Sequence, residues 1–237
     1  MRSTARAGDI GAYRNSAPYF ASLLLLAIPA FWPTYLYVDK VERDFHVHLH
    51  GMSLFLWSVT LIVQPWLIGT GRVKWHRRVG KASFGLAPIV VASTILLAHH
   101  RAAKELSFDQ LYFLYVQLAL LTLFAIAYVQ AIRFRRSGGI HARYMVCTAL
   151  TLVDPILARL EYNLFGIDIP VSQVITYGLI DAILVHLWMR DRALGNGISV
   201  FPAMLGVFLA LEIPTFLLPG LPVWESLANA FARLPLP

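Results

Sequence analysis

The sequence predicts an all-α integral membrane protein, a bundle of seven transmembrane helices. Three observations carry this. Hydrophobic residues make up 58% of the 237-residue chain and charged ones only 14%, whereas soluble domains carry about a quarter charged residues. Mean hydropathy is +0.63. Apolar runs of about 20 residues, the length that crosses a bilayer as a helix, recur between short polar separators. They are too long and too continuously apolar for the alternating strands of a membrane barrel.

The runs follow in order. The first, 18–37, comes after a basic polar start, MRSTARAGDIGAYRNS. That start lacks a clear small-residue cleavage site, so the run is expected to remain as a helix. The second, 47–69, opens in FHVHLHG and closes at GTGR. The third, 82–100, ends in LLAHH. The fourth, 109–132, stops before RRSGG. The fifth, 143–165, contains LVDPILARLEYN and ends at GIDIP. The sixth, 171–189, precedes GNG, and the seventh, 199–218, contains EIP. Gly, Pro, Asn and Ser in the separators are turn chemistry. No fixed-period repeat or second domain is expected. The tail 221–237 places Trp224, Leu227, Phe231 and Leu234 at helical spacing, which predicts a short amphipathic helix lying on the outer leaflet.

Charge sets an expected orientation. The net charge is +7, and no nucleic-acid partner is read from it. Fourteen of the twenty Lys and Arg fall on the side that holds the N-terminus. Five lie opposite, and Arg159 sits inside a span. By the positive-inside rule the N-terminus is cytoplasmic and, after seven crossings, the C-terminus is outside. The expected location is a bacterial inner membrane, with the C-terminus in the periplasm. The single cysteine, Cys147, is expected to be a packing residue. The sequence fixes no oligomeric state.

Polar residues inside these runs are the candidate site. FHVHLHG holds His46, His48 and His50, and LLAHH brings His99 and His100 to the same membrane face. On a helix, His46 and His50 share one side, a common metal-ligand spacing. The expected ligand set is His46 and His50 with His99 or His100, completed by Glu161 or Glu212. Imidazole and carboxylate donors suit zinc, iron or copper, so the expected cofactor is a divalent metal, with haem the lesser alternative. Asp154 and Glu161 lie seven apart on one face of the fifth run, and Gln173, Tyr177 and Asp181 form a stripe on the sixth. Asp154 and Asp181 are expected to form a buried acid pair offset by Arg159, with Glu161 a ligand or general base. Ionisable groups in a bilayer normally face the bundle interior. His76 and His141 are expected in solvated basic loops, His186 as a structural residue, and Trp66 and Trp75 in an aromatic belt.

The stretch HLHGMSLFLWSVTLIVQPWLIGTGRVKWHRRVG resembles a family of uncharacterised bacterial polytopic membrane proteins with the pattern HxHG…W…QP…GR…HR..G. The resemblance covers about two of the seven runs. It implies a multispan bacterial protein and no particular activity. Other architectures match less of the chain. Rhodopsins need a lysine in the last span, which is missing. His46/His50 and His99-His100 are similar to part of the histidine boxes of membrane hydroxylases and desaturases. Ceramidase-like hydrolases share the ingredients in another order. Dihaem cytochromes need histidine pairs at both faces. Membrane terpene cyclases would use the acids and leave the histidines unexplained. The reading adopted is a membrane metalloenzyme with its histidine site facing the outer leaflet, acting on a membrane lipid or apolar small molecule. The rivals are a proton- or ion-coupled transporter, a haem electron carrier and a terpene-cyclase-like acid catalyst.

Overall fold

The structure is a computed structural model that describes residues 13–37, 44–195 and 199–237. Arg2, Arg6, Lys40 and Arg43, counted above for orientation, lie outside the described residues, as do most of the basic start and part of GNG. Every regular element among the described residues is helical, with no strand among them. They form α1 (Ala17–Phe31, extended by a wider π turn at Trp32–Leu36), α2 (Phe45–Gly69), α3 (Val73–Lys104) and α4 (Phe108–Arg133). Then come α5 (Gly138–Leu150), α6 (Val153–Phe165), α7 (Ile169–Ala193) and α8 (Val200–Glu212). Two 3₁₀ turns follow, at Ile213–Phe216 and Leu218–Gly220, and α9 (Pro222–Ala232) ends the series.

Six of these segments are long and apolar enough to cross a membrane: Ala17–Leu36, α2, α3, α4, α7 and Val200–Gly220. The chain is thus a multi-pass membrane protein by helix length and composition. Its surface agrees, since large apolar side chains such as Leu25 (64% exposed) and Val129 (61%) face outward. Lipid tolerates such a surface and water does not.

The expectation of seven long helices is corrected at the fifth run. That run breaks at Thr151–Leu152 into α5 and α6, each of 13 residues. The reason lies in three side chains. Thr148 Oγ1 donates to Met145 O (2.7 Å) and Thr151 Oγ1 to Thr148 O (2.9 Å), and such back-bonding bends helices. Pro155 lacks an N–H and crowds the carbonyl four residues earlier. Restarting the helix at Val153 places Pro155 in a first turn, where that N–H is not needed. Proline alone is not sufficient, because Pro65 and Pro88 sit inside the unbroken α2 and α3. The third run also differs from expectation. Its helix starts at Val73, so the basic stretch KWHRRVGK is helical.

Sequential helices pack as hairpins, α2 on α3, α3 on α4, α4 on α5, α6 on α7 and α7 on α8, while α1 lies against α2 and α6. One apolar cluster joins Leu123, Cys147, Ile180, Leu184 and Phe201, and a second joins Trp57, Val90, Phe124 and Ile156. The α2–α3 hairpin contains the sequence pattern noted above, and its residues brace the turn. Gly71 has φ +73°, a conformation that costs other residues about 1–2 kcal/mol. Arg72 covers the Trp66 ring at 4.9 Å. Gln64, with its amide oriented to satisfy both neighbours, accepts from Gly80 N (2.8 Å) and donates to the His76 ring. His76 and His141, expected in loops, instead lie half-buried on α3 and α5 with ring centres 6.5 Å apart. His186 is exposed.

At that same end of the bundle a fully buried ion pair ties α5 to α7. Arg143 Nε donates to Asp191 Oδ2 (2.5 Å), and Arg143 Nη2 to Oδ1 (2.9 Å). Tyr13 OH also donates to Asp191 Oδ1 (3.1 Å). Removing one member strands the other charge, which costs about 3–5 kcal/mol. Asp191→Ala is therefore expected to lower stability by about that much in detergent unfolding titrations. The double variant Arg143→Met/Asp191→Leu should lose less than either single change. A single variant within about 0.5 kcal/mol of wild type would contradict the burial argument.

Candidate functional site

The histidines gather where α2 begins and α3 ends. Asp44 is the N-cap of α2, and its Oδ1 accepts from His46 N at 2.8 Å. That is the usual work of a capping aspartate. The same oxygen lies 2.9 Å from His46 Nδ1. Its other oxygen, Oδ2, meets His100 Nε2 in ion-pair contact, off the line of a hydrogen bond, and has Lys104 Nζ at 3.6 Å. The His46 and His100 rings stack with centres 4.4 Å apart. One donor atom from each of Asp44, His46 and His100 lies within 4.8 Å of the other two. Burial raises the Asp44 carboxyl, but the hydrogen bonds from His46 and the nearby imidazoles outweigh it and hold it down at about 2.

The tail closes over this cluster. His46 Nε2 lies 3.1 Å from Pro237 O, and His99 Nε2 lies 2.9 Å from Leu234 O. The expected amphipathic helix is present as α9, and it packs against α3 and α4. Trp224 Nε1 donates to Leu111 O (2.9 Å), and the Phe231 ring meets His99 edge-on at 5.4 Å.

His46 now has an acceptor at each ring nitrogen, a carboxylate at Nδ1 and a carbonyl at Nε2. A neutral imidazole has one N–H. Both contacts are satisfied only by a ring protonated on both nitrogens, or by a cation between Nδ1 and Asp44. In the second case the Nε2–H bond to Pro237 O fixes the tautomer, as carbonyl partners commonly do for ligating histidines.

The expected ligand set is thus partly assembled. His46 and His100 come together, but the carboxylate beside them is Asp44. Its signal in the sequence was the N-cap position just before an apolar helix. His50 lies elsewhere on α2, with Nδ1 at 3.3 Å from Thr94 Oγ1, and His99 is occupied by the tail. His48 turns toward Tyr35, whose hydroxyl is 3.2 Å from its Nδ1. A Cβ at Gly51 would stand 3.1 Å from the same Tyr35 ring, so a larger residue there would need that ring to give by a few tenths of an ångström.

Glu161 and Glu212 are engaged away from the histidines. Glu161 Oε2 accepts from Ser172 Oγ at 2.6 Å. The expected Asp154–Asp181 pair is replaced by two separate arrangements. Asp154 Oδ2 accepts from Gln173 Nε2, whose Oε1 accepts from Tyr112 OH at 2.9 Å. Asp181 meets Glu212. Arg159 donates to Pro155 O (2.8 Å) and lies 4.6 Å from the Phe31 ring centre. The stripe on α7 is real, and each member serves a different partner: Gln173 serves Asp154 on α6, Tyr177 serves Thr215 Oγ1 at 3.0 Å, and Asp181 serves Glu212 on α8.

Loss of the cap gives a first check. Asp44→Ala is expected to cost about 1 kcal/mol of stability, and Asp44→Asn less, because asparagine caps comparably. Unfolding titrations that rank the two variants in the opposite order would refute this assignment of Asp44. Compared with protein-family models, curated proteins and solved structures, the chain matches none of them.

Proposed function

We propose that this multi-pass membrane protein is a metal-dependent enzyme whose ion is held by Asp44, His46 and His100, and whose substrate is a membrane lipid or apolar small molecule. The observation that carries the reading is the convergence of two imidazoles and one carboxylate on a histidine with an acceptor at each nitrogen. Two histidines and a carboxylate form a donor set suited to zinc or non-haem iron, and copper also accepts imidazole. When bound with open positions, such an ion activates water or polarises a substrate oxygen. Asp44 would hold negative charge beside it, and Pro237 O would keep His46 turned. The parallel stack of His46 on His100 leaves no space for a porphyrin between them, which argues against haem at this pair.

The acids within the bundle are the groups able to exchange protons with a substrate that reaches the interior. Asp154, Glu161 and Asp181 take this role in the proposal, with Arg159 as the nearby positive charge. We count α5 and α6 together as one broken crossing. Arg143 on α5 meets Asp191 near the end of α7, and Glu161 on α6 meets Ser172 near its start, so the pair runs antiparallel to the whole of α7. Added to the six helices of spanning length, this proposed crossing would make seven. With the basic residues on the N-terminal side, the N-terminus is assigned to the cytoplasm of a bacterium and the histidine cluster to the periplasmic face.

Metal content tests the reading. Protein purified without chelator, or reloaded with zinc, iron or copper, is expected to hold about one equivalent per chain by mass spectrometry. His46→Ala and His100→Ala should each lower metal affinity at least tenfold, since losing even a partner that only orients a ligand costs about 10–100-fold. His48→Ala and His186→Ala should not. Folded wild-type protein that takes up none of the three metals would end the proposal.

One observation favours a second reading. A helix broken beside a buried carboxylate, as at Thr151–Asp154, is a feature of membrane ion sites. Proton or cation passage would then appear as flux in liposomes, reduced at least tenfold by Asp154→Asn. Flux equal to that of empty liposomes removes this reading.

A further inference from the structure

A second site lies on the lipid-facing side of α7 and α8, away from the histidines. A cavity of about 180 Å³ is lined by Tyr177, Asp181 and Glu212 together with the apolar Val174, Ile213 and Phe216. Glu212 is 4% exposed, and both its carboxyl oxygens, like Asp181 Oδ1, are buried without a hydrogen-bond donor. The two acids interact with each other, and no Lys, Arg or His lines the cavity. Tyr177 cannot complete them by default, because its hydroxyl is engaged by Thr215. Buried carboxyl oxygens without donors are costly, and uncompensated acids inside a bilayer are rarely left without a role.

The walls say what could compensate them. Val174 and Ile213 are each 60% exposed and Phe216 47%, on a surface that faces hydrocarbon. A ligand therefore arrives through the lipid and has an apolar body. An ammonium group carries one positive charge and, on a primary amine, three N–H donors. It matches two buried acids that are met by no donor but each other. A hydrated inorganic cation would have to cross the apolar rim, and a hydroxyl brings one donor and no charge.

We propose that Asp181 and Glu212 form a binding site for the ammonium group of a lipophilic primary amine, whose chain lies along Val174, Ile213 and Phe216. The site shares Asp181 with the proposed function but none of the proposed metal ligands, so metal binding and amine binding can each fail alone.

The test uses the full chain in phosphatidylcholine nanodiscs with radiolabelled dodecylamine. Saturable binding of about one molecule per chain is expected above that of empty discs. Unlabelled dodecylamine should compete, and dodecanol should not. Glu212→Gln and Asp181→Asn should each weaken binding at least tenfold, while His100→Ala leaves it unchanged. Should a carboxyl variant fail to fold, as judged by helical circular dichroism and gel filtration, Val174→Trp serves instead. It fills the cavity, keeps both acids and should abolish binding. Three results overturn the proposal: no saturable excess over empty discs, equal competition by dodecanol, or unchanged binding in the folded variants. Any of these would leave the two acids as a pair sharing protons with each other.

Discussion

Hydrocarbon offers no hydrogen bonds, and that single constraint shapes every part of this molecule. Each backbone N–H and C=O at membrane depth must be satisfied by the chain itself, which is why the described residues contain helices and no open strand. The same constraint acts on side chains. Ser53 pairs with Ser93 at 2.9 Å, Ser83 with Tyr128 at 3.1 Å, and Tyr115 donates to Leu211 O at 2.9 Å. These bonds join different helices, so they align the bundle as well as satisfy their own atoms. The polar groups left without donors then become informative, because in such a solvent they are expensive.

The break between α5 and α6 follows from the same rule applied in reverse. A helix can stop inside the bundle only where the freed carbonyls are met, and here the Thr151 hydroxyl meets Thr148 O and Leu152 N meets Ala149 O. What begins after the break is a short helix with Asp154 in its first turn, where the helix dipole favours a negative charge. Asp154 is also held by Gln173. The break, the acid and the amide form one arrangement, and altering any one changes the others' surroundings.

Much of this was legible in the sequence. Apolar runs of the right length gave the membrane class, and six of the seven became helices of spanning length. The period of α7 announced its polar stripe, and the tail's spacing announced α9. Other features were not legible for a physical reason: they depend on which helix stands beside which. Hydropathy averages over a run, so it did not register two threonines and a proline acting together at Thr151. Helical spacing placed His46 and His50 on one face, yet it carried no information that Thr94 would face His50 or that His100 would stack on His46. Asp44 was the residue with a local signal. It sits at the N-cap, but the three histidines after it drew the reading toward a distant carboxylate. The carbonyls of Leu234 and Pro237 have no sequence signature at all.

Those two carbonyls have a consequence for how the chain is made. Residues 234–237 are synthesised after all of the described helices, and Leu234 and Pro237 are stapled to imidazoles near the starts and ends of helices made far earlier. The histidine face is therefore completed only after the described helices have been made. A chain cut before Leu234 would hold all of the described helices and still present His46 and His99 with one nitrogen each facing no carbonyl. Biogenesis itself thus separates insertion of the bundle from completion of its polar end.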